Sequence, residues 1–158
     1  MVIEYSFFKS PKGWLQISAS TAGITEISLS ENRSAESEAP GNPILAQCCH
    51  ELSEYFDHSR TSFTVPLDVK GSDFQMNVWK SLAEIPYGAT TTYGAIARKC
   101  GRPKAFQAVG QIVGNNPIPI VLPCHRVMGS DGKLTGFGWG IPWKIWLLQH
   151  ENIEMGLF

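Results

Sequence analysis

An α+β chain of two lobes is predicted by three observations in these 158 residues. Three short alternating segments cut by turn residues open the sequence, and helix-spaced apolar residues follow them. Two short helical segments around a glycine-containing turn then occupy the second half. Hydrophobic residues are 43% of the chain and charged ones 17%, which fills a core and excludes a disordered protein.

Residues 2–8, 14–20 and 24–30 read as strands of an antiparallel meander, with Pro11-Lys12-Gly13 and Thr21-Ala22-Gly23 as its turns. Residues 31–41 are polar without periodicity and read as a mobile loop. Asn42-Pro43 supplies a helix cap with proline at the first helical position, and Ile44, Leu45, Cys48, Leu52, Tyr55 and Phe56 follow at helical spacing. Residues 66–72 read as a linker, dividing the chain into lobes 1–69 and 73–158. No internal repeat is visible.

In the second lobe, Ser72 or Asp73 caps a helix with Phe74, Val78, Trp79 and Leu82 on one face, ended by Pro86-Tyr87-Gly88. Thr90, Thr91 and Thr92 lead into a short helix over 93–99, stopped at Cys100-Gly101. Pro103 opens another over 104–113. This pair suits a helix-turn-helix, and it equally suits two packed core helices. Pro117, Pro119 and Pro123 predict an extended stretch, and 143–150 a final helix.

The net charge of −1 excludes a polybasic, histone-like binder, but it is a sum of unlike halves. Residues 1–72 carry five basic and nine acidic side chains, −4; residues 73–158 carry eight and five, +3. Between Ile85 and Ser130 there is no acid, against Arg98, Lys99, Arg102, Lys104 and Arg126. That coincidence with the helix pair favours nucleic-acid binding over a merely solvated basic face.

No segment approaches the roughly 18 apolar residues of a membrane span, and residues 1–10 do not read as a secretory signal. The irregular spacing of Cys48, Cys49, Cys100 and Cys124 points to reduced thiols in the cytoplasm. Cys48, Cys49, His50 and His58 could be read as metal ligands. Adjacent cysteines seldom hold one ion without strain, so core packing is preferred and no metal is expected.

The most informative text is Pro123-Cys124-His125-Arg126-Val127. A lone cysteine on an apolar strand is usually a small core residue, as Cys100 would be. Cys124 differs because basic neighbours favour its thiolate, the nucleophilic form. Adjacent strand residues point to opposite faces, so His125 can serve Cys124 only if the chain turns sharply there or a water intervenes.

Taken with that text, several others carry a family resemblance: Gly114-Asn115-Asn116-Pro117, Pro86-Tyr87-Gly88 with Tyr93, Arg102-Pro103-Lys104-Ala105 with Ala108-Val109-Gly110, and Trp146-Leu147-Leu148-Gln149-His150-Glu151. In this order and spacing over residues 74–151 the chain resembles the O6-alkylguanine-DNA alkyltransferases. The resemblance implies a ribonuclease-H-like N-terminal lobe, a small antiparallel sheet with a helix, and a C-terminal lobe with a winged-helix-like helix-turn-helix. It implies direct, single-turnover transfer of an alkyl group from O6-alkylguanine in double-stranded DNA to Cys124, by a monomer without a cofactor. The target nucleotide must first be flipped out of the duplex.

The resemblance also implies roles. His125 matches the base, Glu151 the carboxylate that orients it, Asn116 the brace of the segment before the cysteine, and Tyr93 the donor to the leaving guanine. Pro119, Val127, Phe137, Gly138 and Trp139 fall on the guanine pocket, whose wall is 135–140; Phe137 replaces the usual tyrosine. Tyr93, Gly94, Arg102, Lys104, Gln107 and Ser130 fall on the DNA surface, which enters the minor groove. Gln107 stands where the family carries an arginine that fills the gap left by the flipped base. Weaker flipping is therefore expected, with Phe106 as a substitute wedge. Three other readings stay open: a binder that flags alkylated bases without transfer, a helix-turn-helix regulator, and a cysteine hydrolase.

Overall fold

The computed structural model describes residues 2–31, 41–134 and 136–153, so most of the expected mobile loop, 32–40, lies outside the described residues. The chain is α+β and forms two compact units that meet in sequence at Val69 and Lys70.

In the first unit, β1 (Glu4–Ser10), β2 (Gly13–Ala19) and β3 (Ile24–Ser30) form an antiparallel sheet in that order. The first strand runs two residues beyond the expected end at Phe8, because Ser10 pairs directly with Gly13 and only Pro11 and Lys12 make the turn. Period-two alternation puts Leu15, Ile17, Ala19 and Ile27 on the buried face. Against the sheet lies α1 (Pro43–Phe56), whose Asn42 cap accepts the Ile44 N–H at 2.9 Å; Leu45, Cys48, Leu52 and Tyr55 are buried.

The expected linker begins as structure. The Ile24 N–H donates to Pro66 O at 2.9 Å and the Asp68 N–H to Ile24 O at 2.8 Å. The approach is so close that a Cβ on Gly23 would stand 2.5 Å from the Leu67 carbonyl carbon, which is why glycine is required there. Glu51 fixes the strand-like segment on the other side. Its buried carboxylate accepts the Thr64 N–H (2.7 Å), the Thr64 hydroxyl (2.8 Å), the Val65 N–H (3.2 Å) and the Gln47 amide (2.7 Å).

The second unit starts with α2 (Asp73–Ala83), closed by a capping box in which Ser72 and Gln75 exchange side-chain bonds to each other's N–H. Then come β4 (Thr91–Thr92), α3 (Tyr93–Lys99), α4 (Phe106–Gly114), β5 (Val127–Met128) and α5 (Ile141–His150). Thr92 caps α3, and α3 and α4 pack on each other and on α2 around Val78, Leu82, Ile96, Ala97, Val109 and Val113. The helix-turn-helix reading therefore holds, and β4 pairs in parallel with β5 beside it.

Two helix starts and one connection in the second unit differ from the sequence reading. Helix α4 begins at Phe106, because the Ala105 N–H closes a turn onto Arg102 O and leaves Pro103 and Lys104 in the connection. Helix α5 begins at Ile141, with Pro142 in its first turn where no N–H is needed. The proline-rich stretch before Cys124 is folded on itself instead of extended, as described below. Among the described residues no helix is long and apolar enough to cross a membrane.

Glu51→Ala would leave the buried Val65 N–H, and the Thr64 N–H beside it, without their acceptor. A loss of about 3 kcal/mol is expected, read as a lower midpoint in urea denaturation.

Candidate functional site

Pro123 decides the local geometry. Its ring holds φ at −78°, and with ψ at 67° it forms an inverse γ-turn in which the Cys124 N–H donates to Leu122 O at 2.7 Å. Cys124–Arg126 then make one turn of 3-10 helix. Three residues per turn spread successive side chains by about 120°, not the 180° of a strand. The sharp turn that the sequence left open is thus present. The Asn116 amide braces it, donating to Leu122 O at 2.7 Å while accepting the Ile118 N–H at 3.0 Å.

His125 and Arg126 converge on one carboxylate, Glu151 at the end of α5. The His125 Nε2 lies 2.6 Å from Glu151 Oε2; Arg126 donates to Oε1 from Nε (2.7 Å) and to Oε2 from Nη2 (3.0 Å). The remaining guanidinium donor reaches Ile85 O at 2.7 Å. All three residues are buried. Burial alone would raise the Glu151 pKa, but the His125 and Arg126 hydrogen bonds and charges outweigh it and hold the carboxyl at about 2. An ionised carboxylate only accepts, so Nε2 carries the hydrogen and Nδ1 keeps the lone pair. Nδ1 is also the atom that has no hydrogen-bond partner among the described residues. Burial keeps this ring neutral by lowering its pKa, against the pull of Glu151.

Two expectations about charge need correction. Cys124 is buried, and burial raises its thiol to about 11, with the Asn116 hydrogen bond and the positive Lys144 pulling it back only in part. Its resting form at neutral pH is the thiol. Arg126 does not favour the thiolate, since Glu151 consumes its charge. The cation that does act on Cys124 is Lys144, which sequence reasoning missed. Fully buried on α5, it donates to Val127 O at 2.6 Å, and burial lowers its pKa to about 8. One lysine inside the apolar run Ile141 to Leu148, seven residues before Glu151 and so on the same helix face, was the available signal.

The other predicted residues divide into two groups. Pro119, Val127 and Phe137 are buried, the first bridged to Leu122 and the second directly after the turn; Phe137 meets Trp139 edge-on at 6.0 Å, and Trp139 meets Trp143 at 5.0 Å. Gly138 passes so close to α4 that a Cβ would sit 3.1 Å from Gly114 O. Thr135, at the start of the expected wall, lies outside the described residues. Tyr93, Gly94, Gln107 and Ser130 line a cleft of about 620 Å³ together with Arg98, Phe106, Gly110, Gly114 and Asp131. Arg102 and Lys104 are exposed on the connection before α4, outside this lining; the Arg102 guanidinium lies 4.7 Å over the Phe74 ring. Of the five bases in the acid-free stretch, Arg126 is buried against Glu151 and the exposed Lys99 pairs with Glu84, which leaves Arg98, Arg102 and Lys104 exposed without an acidic partner among the described residues. Among the described residues, no three His, Cys, Asp or Glu side chains are placed to hold a metal ion.

A helix-turn-helix unit that carries a buried cysteine beside a histidine–carboxylate pair defines a nucleic-acid-binding class with a reactive thiol. Two family models match the chain: the 6-O-methylguanine DNA methyltransferase ribonuclease-like domain over residues 3–69, and the DNA binding domain of the same name over 73–153. The methylated-DNA–protein-cysteine methyltransferase of Mycobacterium tuberculosis is 42% identical over 154 residues, 96% of this chain and 93% of that one. The crystal structure of the M. tuberculosis O6-methylguanine methyltransferase superposes with a TM-score of 0.83 at 41% identity, covering 95% of this chain and 93% of that one. The M. tuberculosis OGT in complex with DNA gives 0.83 at 43% identity, over 93% and 91%. The chain belongs to the 6-O-methylguanine DNA methyltransferase family.

Glu151 and His125 both have folded pKa values below their ordinary 4.5 and 6.5, so each stabilises the fold above its ordinary value and loses that contribution as pH falls. Stability should therefore decline below about pH 6.5 and again between about 4.5 and 2 in denaturant titrations. Glu151→Gln should shrink the second decline, to which Glu51 also contributes, and cost about 3 kcal/mol at pH 7, because Arg126 is left buried without its counter-charge.

Proposed function

We propose that this protein repairs DNA by moving an alkyl group from guanine O6 to Cys124, once per molecule. The observation that carries this reading is the single turn on which Cys124 is followed by a histidine whose Nε2 is held by a buried carboxylate and whose Nδ1 is free to accept a proton. His125 takes the thiol proton at Nδ1 through a water, and the imidazolium so formed is stabilised by Glu151. The Cys124 sulfur attacks the alkyl carbon. An S–C bond forms as the C–O6 bond breaks, and the electron pair leaves with guanine. Tyr93, at the start of α3 on the cleft, donates to that developing charge; Asn116 and Lys144 steady the sulfur. The product thioether does not hydrolyse, so no second turnover follows.

Pro119, Val127, Phe137, Gly138 and Trp139 enclose the flipped base. The surface carrying Tyr93, Gly94, Gln107 and Ser130, with Arg102 and Lys104 beside it, meets duplex DNA from the minor groove. The site for this chemistry is carried whole by the second unit, 73–158, with 1–69 as a separate lobe. We place the protein in the cytoplasm as a monomer, a reading that the four free cysteines support.

Incubation with a duplex holding O6-methylguanine should add one methyl, and never more than one, to the peptide containing Cys124, read by mass; Cys124→Ser should add none. Tight lesion binding without an adduct would favour a flagging protein instead. With Arg98, Arg102 and Lys104 the exposed bases of the acid-free stretch that have no acidic partner among the described residues, the slope of log affinity against log salt should be no steeper than about −3.

A further inference from the structure

The three exposed bases without an acidic partner are not equivalent in the fold. Lys104 lies on the connection before α4, and the Arg102 guanidinium is laid over the Phe74 ring at 4.7 Å. Among the described residues that line the cleft, Arg98 is the one base, and it shares the lining with Tyr93 and Gln107.

Its side chain has a defined course. A Cβ added to Gly94 would stand 3.5 Å from Arg98 Nη1, so the side chain runs back one turn along α3 and sets its guanidinium over the glycine, next in sequence to Tyr93. A longer side chain at 94 would compete for that place. The acid on the cleft, Asp131, does not take up this cation. Its carboxylate accepts the Lys133 N–H at 3.1 Å and lies 3.5 Å from Lys133 Nζ.

A guanidinium on a cleft with no acid to hold it suits a phosphodiester, which accepts two parallel N–H···O bonds from its edge. Its place says which phosphodiester. Tyr93 is the residue assigned above to the leaving guanine, so the flipped nucleotide passes beside the start of α3. Rotation about the backbone carries the phosphates on either side of that nucleotide with it. Arg102 and Lys104, outside the cleft lining, are placed for phosphates of the regular duplex.

We propose that Arg98 grips a backbone phosphate adjoining the alkylated guanine once that nucleotide has left the stack, and so holds the opened state. Arg98 is a positioning residue here and does not touch the reacting atoms. A contact made only in the opened state raises the transfer rate, whereas one made equally in the closed duplex raises affinity alone. The proposal rests on the alkyl-transfer reading above.

The test removes phosphate charge one linkage at a time. Methyl transfer to Cys124 is timed on duplexes holding O6-methylguanine and a single neutral methylphosphonate, placed in turn from the linkages adjoining the lesion outwards. The proteins are the unaltered chain, Arg98→Ala, Arg98→Lys and Lys104→Ala. The unaltered protein should lose about tenfold in rate at one linkage adjoining the lesion. Arg98→Ala should lose about tenfold on the fully charged duplex and nothing further at that linkage, since both changes remove one interaction. Arg98→Lys should keep part of the sensitivity, because an ammonium supplies charge without the fork, and Lys104→Ala should keep all of it. Each protein is compared with itself on charged and neutralised duplexes, so a partly misfolded variant leaves the ratio unmoved. The proposal is overturned if Arg98→Ala is as sensitive as the unaltered protein at every linkage. It is overturned equally if the sensitivity that Arg98→Ala loses lies only at linkages away from the lesion. Failure of the alkyl-transfer reading shows differently, as no adduct from the fully charged duplex with the unaltered protein.

Discussion

The buried carboxylate of Glu151 holds together the parts of the second unit that chemistry needs. Taking a charge out of water costs several kcal/mol, and this one is compensated by three close donors from two residues. Arg126 carries the constraint further, because the donor left over after its two-pronged grip on Glu151 binds the carbonyl of Ile85, which follows α2. The end of α5, the 3-10 turn and the segment after α2 are thus tied through a single ion cluster. Tyr87 adds to the tie, its ring 5.6 Å from the Arg126 guanidinium and its hydroxyl donating to His150 O. His125 has no orientational freedom left, and its Nδ1 points wherever this cluster aims it.

The backbone leading to Cys124 is under strain that its burial supports. Ile120 has a φ of 75°, a left-handed conformation that costs a β-branched residue on the order of 1–3 kcal/mol. Ile118, Ile120, Val121 and Leu122 are all buried, and the Leu122 N–H closes the loop onto Ile118 O. This folded approach delivers Cys124 into a buried environment where its thiol is a poor acid. For a protein that reacts once, a protonated resting thiol is an advantage, since adventitious alkylation or oxidation requires the thiolate. In the proposed reaction nucleophilicity would then depend on a base and a cation that are already in place, His125 and Lys144.

Much of this was legible in the sequence because it is local. The meander, the Asn42 and Ser72 caps and the helix pair each follow from neighbouring residues, and the texts around Cys124, Asn116 and Glu151 marked candidate residues, through their resemblance to a family, that the fold does bring together. What was not legible depends on partners far apart in the chain. Lys99 and Glu84, or Arg126 and Glu151, find each other only when helices pack, so a count of bases overstated the free positive charge by two. Lys144 was overlooked because an apolar run with one lysine reads as a surface helix until its burial is known. The inverse γ-turn at Pro123 was hidden for another reason: proline fixes φ but leaves ψ to the surroundings.

The removal of those two charges bears on how DNA would be gripped. Three exposed bases without an acidic partner in the acid-free stretch give a modest, sequence-independent attraction, so electrostatics alone cannot supply the energy that extrudes a base from the stack. In the proposed reaction that energy would come from contacts formed only once the duplex is open, such as enclosure of the flipped guanine by Phe137 and Trp139. A weakly charged surface with strong contacts reserved for the opened state binds undamaged DNA loosely and commits where a base leaves readily. O6-alkylation weakens pairing with cytosine, so the same lesion that supplies the reactive carbon also lowers the cost of reaching it. Selectivity for damage can then arise from the energetics of opening, and the helix that enters the groove has no need to read sequence.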